Sequence, residues 1–387
     1  MSSPLRKIHL ALLDPYHLPY ILMHKMGTQA GYHLLKTISF PPETVNIYPT
    51  FRCNLKCKMC FEKFTKIAQE LKIEDWRRII IEVKKFKPRI HISGGEPFLY
   101  PEIISLIEFI RKNHLFLHIT TNGTDLYNFA KELVTLQVNR IDISIDGPGE
   151  IHDRLRGVKG SFEKIIKGLE VLKKYKKGRH RPVIKFNSII NLKNPGVMKE
   201  IVDVAQIYGV KSIQFIYPLF LSKESIESHG VFLKKNLNQK INYWLRADSY
   251  KPEIEDFRII HKKIIDLLKG SGKIEIKIFP AFDVFQFKSY YTSAEEFNEI
   301  YKGRCRAPWS TATILPDGSI ESCPDYIIGK AGKESFLKIW NNNLMAKLRK
   351  LIRDNRFFSV CRACCFFIND SGNTVRFYPS QICVNQK

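Results

Sequence analysis

The amino-acid sequence predicts an α/β fold, a partial (β/α)6 TIM-like barrel followed by a small C-terminal cysteine-rich domain. Three observations predict it. From about residue 44 to residue 218, short apolar runs alternate with amphipathic runs of helical period, the signature of parallel βαβ units. Polar or glycine-rich segments follow each of the first four apolar runs, as expected for a site at the carboxyl ends of parallel strands. The nine cysteines fall into two groups, Cys53/Cys57/Cys60 and Cys305/Cys323/Cys361/Cys364/Cys365/Cys383.

In chain order, residues 1–43 form a basic, partly apolar lead-in. Strands are expected at Thr44–Pro49, Arg89–Ser93, Phe116–Thr121, Arg140–Ile145, Val183–Ile190 and Ser212–Tyr217. Helical periods lie between them at Ile73–Phe86, Pro101–Lys112, Leu126–Leu136, Ser161–Lys174 and Pro195–Tyr208. The barrel core therefore spans residues 44–218. Residues 219–300 read as a mostly helical bridge, clearest at Glu255–Leu268, with one strand near Lys273–Phe279. In residues 301–387, Pro316-Asp317-Gly318 marks a turn between two strand-like segments that puts Cys305 and Cys323 at the base of a hairpin.

A chain of 387 residues is long enough for one large α/β domain and a smaller one. Its 44% hydrophobic and 26% charged content is that of a soluble globular protein. No apolar run is long enough to span a bilayer, and no cleavage site follows Arg6-Lys7, so a cytoplasmic protein is expected. Grouped cysteines without a secretion signal favour metal ligation over a disulfide framework. The 62 Lys and Arg against 38 Asp and Glu give a net charge of +24. That charge suits a phosphate-bearing partner or an anionic membrane surface. Its spread over Lys84-Lys85, Lys173 to Lys177, Lys234-Lys235 and Lys347 to Lys350 instead favours a solvated basic surface, and nucleic acid is not the expected partner.

Cys53, Cys57 and Cys60 carry the most information. Three thiolates on one loop cannot pair off as disulfides, and they are one ligand short of a closed tetrahedral metal site. A cubane iron–sulfur cluster is normally held by four thiolates, so three leave one iron open for chemistry. The spacing C-x3-C-x2-C, followed after the next strand by Gly94-Gly95-Glu96-Pro97, resembles the radical S-adenosylmethionine (radical SAM) superfamily. The resemblance implies that Cys53, Cys57 and Cys60 ligate a 4Fe–4S cluster whose fourth iron is chelated by S-adenosylmethionine. It also implies reductive cleavage to a 5′-deoxyadenosyl radical that abstracts hydrogen from a substrate.

Further residues take expected roles from the same resemblance. The family usually has an aromatic residue before the last cysteine. Here Met59 stands there, with Phe61 available to contact adenine. Gly94, Gly95, Glu96 and Pro97 would receive the methionyl amino group, Glu96 as acceptor, beside Asn122 after strand three. Ser144 and Asp146 would lie near the ribose and carboxylate. Arg156, in the loop-like run His152-Asp153-Arg154-Leu155-Arg156-Gly157, is available to a carboxylate, and Asn187 lies at strand five. His91 and His118 read as hydrogen-bonded core histidines.

The second cysteine group resembles a SPASM/twitch auxiliary domain, including the Ile339-Trp340 and Leu348-Arg349 landmarks. Cys305, Cys323, Cys361 and Cys364 would hold one auxiliary 4Fe–4S cluster. Cys361, Cys364, Asp370 and Cys383 form an alternative quartet, and a zinc ribbon satisfies the same spacing. The expected activity is that of a radical SAM oxidoreductase or transferase fed by a reduced ferredoxin or flavodoxin-type donor. Only 52 residues precede Cys53, fewer than the recognition domain of peptide maturases, which favours a small molecule, cofactor precursor or lipid over a peptide. The reading from a different class is a non-catalytic metal-binding protein that contacts nucleic acid.

Overall fold

Eleven strands form one sheet, in the order β10-β9-β8-β1-β2-β3-β4-β5-β6-β7-β11. The structure is a computed structural model that describes residues 17–60, 69–248, 254, 256–269, 274–280, 282–301, 304–364 and 375–377. The strands are β1 (Thr44–Ile47), β2 (Arg89–Ile92), β3 (Leu117–Thr121), β4 (Arg140–Ser144), β5 (Val183–Ile189), β6 (Ser212–Ile216), β7 (Glu275–Phe279), β8 (Thr311–Ile314), β9 (Ser319–Cys323), β10 (Tyr326–Lys330) and β11 (Val375–Phe377). Strands β1 to β7 are all parallel. The six expected strands are present within one or two residues of their anticipated ends, and the sheet is the mostly parallel one that the alternation implies.

The sheet extends further than the six units. The strand anticipated near residue 279 is β7, parallel to β6, and β8 pairs in parallel with β1. The Pro316-Asp317-Gly318 turn does join an antiparallel pair, with Ile314 opposite Ile320 and Gly318 at φ +85°. Residues from the barrel core, the bridge and the C-terminal region thus share one hydrogen-bonded sheet. Only long-range pairing decides which strand covers an edge, so local periodicity does not reveal it.

Alternation along the strands separates two faces. Val45, Ile47, Ile90, Ile92, Leu117, Ile119, Ile141 and Ile143 are buried on one face. The other face carries a polar row. His91 Nδ1 lies 3.0 Å from Asn46 Oδ1 and its Nε2 2.9 Å from Thr120 Oγ1, while its ring stacks on His118 at 3.9 Å. His91 is thus hydrogen-bonded, and the two rings stack on each other within the sheet.

Between β1 and β6 the helices follow the expected order, with one addition. Gly149–Arg156 is helical where the sequence suggested a loop. Pro148 and Gly149 at its start and Gly157 at its end hide the helix from a periodicity reading. Gly157 ends it at φ +73°, where its N–H donates to Asp153 O.

The C-terminal region is clamped to the lead-in by Arg349, which is fully buried. Its Nε donates to Pro308 O at 2.9 Å, Nη1 to Thr37 O at 2.9 Å and Asn341 Oδ1 at 2.8 Å, and Nη2 to Trp340 O at 3.0 Å. The guanidinium also stacks over Trp340 at 4.9 Å. Replacing Arg349 with Met strands these acceptors in a dry interior. The expected loss is about 3 kcal/mol of unfolding free energy, readable as a lowered urea midpoint.

Candidate active site at the cysteine loop

The loop after β1 carries Cys53, Cys57 and Cys60, and neighbouring backbone staples it on both flanks. On one side, Gly95 N–H donates to Thr50 O at 3.0 Å and Glu96 N–H to Arg52 O at 2.8 Å. On the other, Lys56 N–H donates to Arg156 O at 3.0 Å and Lys58 N–H to Leu155 O at 3.2 Å. These approaches need glycine. A Cβ on Gly95 would sit 2.3 Å from Arg52 O, and one on Gly157 would sit 2.5 Å from Lys56 O. Gly95→Ala is therefore expected to leave the sheet folded but to displace the loop. Measured iron per chain should fall by the share of the first site alone.

Two side chains donate to the sulfurs. Asn122 Nδ2 lies 3.9 Å from Cys53 Sγ, and Arg156 Nη1 lies 3.8 Å from Cys57 Sγ. Burial holds the Cys53 thiol above its ordinary range, opposed by the Leu55 N–H and the Asn122 amide. Arg156 is not a surface arginine. Its Nε bonds Asp146 Oδ2 at 2.6 Å, with the Asp146 side chain fully buried and that of Arg156 14% exposed. Asp146 Oδ1 in turn accepts Ile189 N–H at 2.7 Å, and its own N–H donates to His152 Nδ1 at 3.1 Å. The carboxylate anticipated for Arg156 is thus the protein's own Asp146, brought round by the unforeseen helix.

Glu96 also differs from expectation. Instead of offering an open acceptor, its buried carboxylate ties the tips of β2 and β3 together. It accepts Thr121 Oγ1 at 2.8 Å, Asn122 N–H at 2.7 Å and Phe98 N–H at 3.2 Å. Burial raises its pKa to about 7 against those hydrogen bonds. Gly94 and Gly95 stay partly open, and Pro97 begins a short 3-10 turn, Pro97–Leu99. Met59 is also partly open on the cysteine loop. Ser144 and Asn187 lie opposite each other at the ends of β4 and β5. Asn187 Oδ1 is buried with no hydrogen-bond partner among the described residues, an acceptor that a ligand's donor would satisfy. Phe61, Asp370 and Cys383 lie outside the described residues.

His152 has a consequence for pH. It is fully buried, and burial lowers its pKa from 6.5 to about 4. The unfolded chain therefore takes up a proton at this histidine before the folded chain does. Stability is complete above pH 6.5 and declines as the pH falls toward 4, by roughly 1 kcal/mol per pH unit for this group. His91, lowered to about 4 chiefly by burial, acts in the same direction. The check is a urea midpoint lower at pH 5 than at pH 7.

Near the C terminus, Cys305, Cys361 and Cys364 are buried and Cys323 is half-buried. The Cys323 thiol is pushed well up by burial and then by the charges of Cys361, Cys364 and Cys305, so the four sulfurs share one electrostatic environment. Among the described residues the seven cysteines form no disulfide, and no three His, Cys, Asp or Glu side chains form a ready-made single-ion site. The donor sets, three thiols and then four, fit a cluster with an open iron and a fully ligated one.

A cavity of about 470 Å³ is lined by Tyr48 and Phe51, just before the cysteine loop, by Tyr243 and Trp244, and by Ala363 and Cys364 of the second cysteine group. Sequence reasoning missed this wall. Phe51, two residues before Cys53, was the only local hint, and nothing near Tyr243 and Trp244 marks them as partners of a loop some 190 residues away.

Comparison with known proteins agrees with this geometry. Residues 47–205 match the radical SAM superfamily, and residues 305–365 match the SPASM iron–sulfur cluster-binding domain. The Fe-coproporphyrin III synthase of Methanosarcina barkeri is 33% identical over 141 residues, 35% of this chain and 35% of its own length, so the chain spans about a third of that relative. The subtilosin biosynthesis protein AlbA of Bacillus subtilis is 28% identical over 340 residues, 84% of this chain and 66% of its own length. The crystal structure of Streptococcus suis SuiB superposes with a TM-score of 0.60 at 18% identity, covering 91% of this chain and 77% of SuiB. Proteins of this kind carry a 4Fe–4S cluster, S-adenosylmethionine and auxiliary iron–sulfur ligation. Residues 47–205 of the chain are thus a radical SAM domain, and residues 305–365 are a C-terminal SPASM domain.

Proposed function

We propose that Cys53, Cys57 and Cys60 hold the catalytic 4Fe–4S cluster, that Cys305, Cys323, Cys361 and Cys364 hold one auxiliary cluster, and that substrate sits in the aromatic cavity between them. The carrying observation is the stapled cysteine loop, with Asn122 and Arg156 directed at two of its sulfurs, preceded by Tyr48 and Phe51, which line a cavity together with Cys364. When bound, the first cluster would supply one electron, received from a ferredoxin- or flavodoxin-type donor, for reductive cleavage of S-adenosylmethionine to methionine and the radical that takes substrate hydrogen. The auxiliary cluster that Cys305, Cys323, Cys361 and Cys364 would hold would supply an electron acceptor for a substrate oxidation.

The chain's own residues position that chemistry. Asn122 and Arg156 offset thiolate charge, and Asp146 fixes the arginine in place. The open backbone at Gly94-Gly95 and the orphaned Asn187 oxygen offer close approach and an acceptor to the cosubstrate, with Ser144 and Met59 at its border. The test is 5′-deoxyadenosine formation by anaerobically reconstituted, dithionite-reduced protein. A colourless, zinc-loaded protein without that product would overturn the reading.

The cavity volume suits a small amphipathic molecule or a single side chain of a longer one. A peptide substrate is the second reading. It is favoured by the alignment with AlbA, which runs through both domains, whereas the heme-pathway match covers only a third of the chain. Size-fractionated host extract separates the two. A protease-sensitive fraction that stimulates 5′-deoxyadenosine release indicates a peptide, and a protease-resistant one indicates a small molecule or lipid.

A further inference from the structure

The helix Leu18–Ala30 puts two polar side chains against the protein: His24 Nε2 donates to Phe86 O at 2.8 Å and Thr28 Oγ1 to Trp309 O at 3.3 Å, both buried. Just ahead of it, buried His17 donates to His114 O at 3.0 Å. Its exposed positions include Leu22, Met23 and Met26, the last 73% exposed, beside Lys25 and Gln29. The following turn adds Leu34, 75% exposed, and Leu35. The chain then folds back along the helix. A Cβ on Gly27 would lie 2.9 Å from Phe40 Cβ and one on Gly31 would lie 2.8 Å from Ser39 Oγ, which sets exposed Ile38 and Phe40 beside the helix. This one hairpin supplies seven of the sixteen large apolar side chains exposed among the described residues, a concentration unlike the usual scatter of single apolar residues.

The patch is held firmly rather than frayed. Trp340 Nε1 donates to Phe40 O at 2.8 Å, Asn341 Nδ2 to Ser39 O at 2.9 Å, and Arg349 Nη1 to Thr37 O at 2.9 Å. Leu337 and Leu344, on the helices Phe336–Trp340 and Asn343–Asn355 that carry Trp340 and Arg349, are also exposed. The charge around it has one sign. Residues 17–42 contain Lys25 and Lys36, both exposed, and no Asp or Glu. The sequence leading in, Leu5-Arg6-Lys7-Ile8-His9-Leu10, has the same basic and apolar character.

We propose that this face, residues 18–40, docks the enzyme on the surface of an anionic lipid bilayer. Apolar side chains enter the headgroup boundary while lysines meet lipid phosphates, the composition of an interfacial anchor rather than a spanning one. In keeping with that, no helix among the described residues is long and apolar enough to cross a membrane. The inference does not depend on the substrate, and its failure leaves the radical chemistry untouched.

The test is co-sedimentation of the reconstituted full-length enzyme with vesicles of phosphatidylcholine, with and without one third phosphatidylglycerol. The expected result is binding to the anionic vesicles, weakened about tenfold or more in the Met26→Glu/Leu34→Glu double variant, with 5′-deoxyadenosine formation in vesicle-free buffer unchanged. A second variant, Lys25→Glu/Lys36→Glu, keeps the apolar face and should lose the preference for anionic lipid. Absence of vesicle binding, or equal binding by wild type and both variants, overturns the proposal. So does a wild-type dimer that the first variant dissociates without any vesicle binding, since the face would then join two copies of the chain.

Discussion

Replacing Cys53, Cys57 and Cys60 together with alanine is expected to reduce 5′-deoxyadenosine formation to background while leaving the auxiliary iron in place. The reason lies in how independently the two thiol sets are held. The first sits on a loop whose backbone bonds run to the Gly94-Gly95 segment and to the end of helix Gly149–Arg156. The second is buried among Cys305, Cys361 and Cys364, with Phe358 N–H donating to Cys361 Sγ at 3.2 Å. Alanine at the first set removes the proposed ligands of the first cluster and leaves the thiols of the second in place. Iron per chain should fall by about four, the content of one cubane cluster, with the remaining visible absorbance still bleached by dithionite. Loss of all iron would show that the two sites do not load independently.

Arg156→Ala should have the largest effect of any single change on the catalytic half. It removes the partner of a fully buried carboxylate, and an uncompensated buried charge costs about 3–5 kcal/mol. The damage also has a direction. Asp146 accepts Ile189 N–H and donates its own N–H to His152, so relaxation there reaches β5 and the helix that carries Leu155 O and Arg156 O, the acceptors for the cysteine loop. Urea unfolding should report the stability loss. Iron analysis should show the first cluster depleted before the auxiliary one. Arg156→Lys keeps the charge but not the planar fork, and it should recover stability more than it recovers loading of the first site. An alanine variant with unchanged urea midpoint and full iron would contradict the role assigned to this pair.

Much of this site could be read from the sequence because its signals are local. Six strands and five helices follow from runs that alternate with period two or repeat with helical period, each within one segment. The cysteines, the Gly94-Gly95 turn and the hairpin at Gly318 need only spacing and turn chemistry. What escaped reading depends on distant partners. Asp146 and Arg156 were both candidates, each assigned to a ligand, yet they face one another because Gly157 stops an otherwise unmarked helix. Glu96 looked like an open acceptor because its three donors, two of them on β3 or just after it, are invisible from its own turn. The outward set of Leu22, Met23 and Met26 would ordinarily be taken as core, and only the inward hydrogen bonds of His24 and Thr28 show which side of the helix meets the protein.

The parallel pairing of β8 with β1 bears on how the chain can be divided. Asn46 Nδ2 donates to Thr313 Oγ1 at 3.1 Å across 267 residues of sequence. A fragment ending near residue 300 would keep every residue of the parallel core yet strip β1 of that neighbour, leaving a bare row of backbone donors and acceptors open to any passing strand. Such an unprotected edge invites self-association. Excising the cluster-binding tail should therefore yield aggregates rather than a soluble minimal enzyme. During synthesis, too, the first strand must wait for one of the last before its outer side is closed.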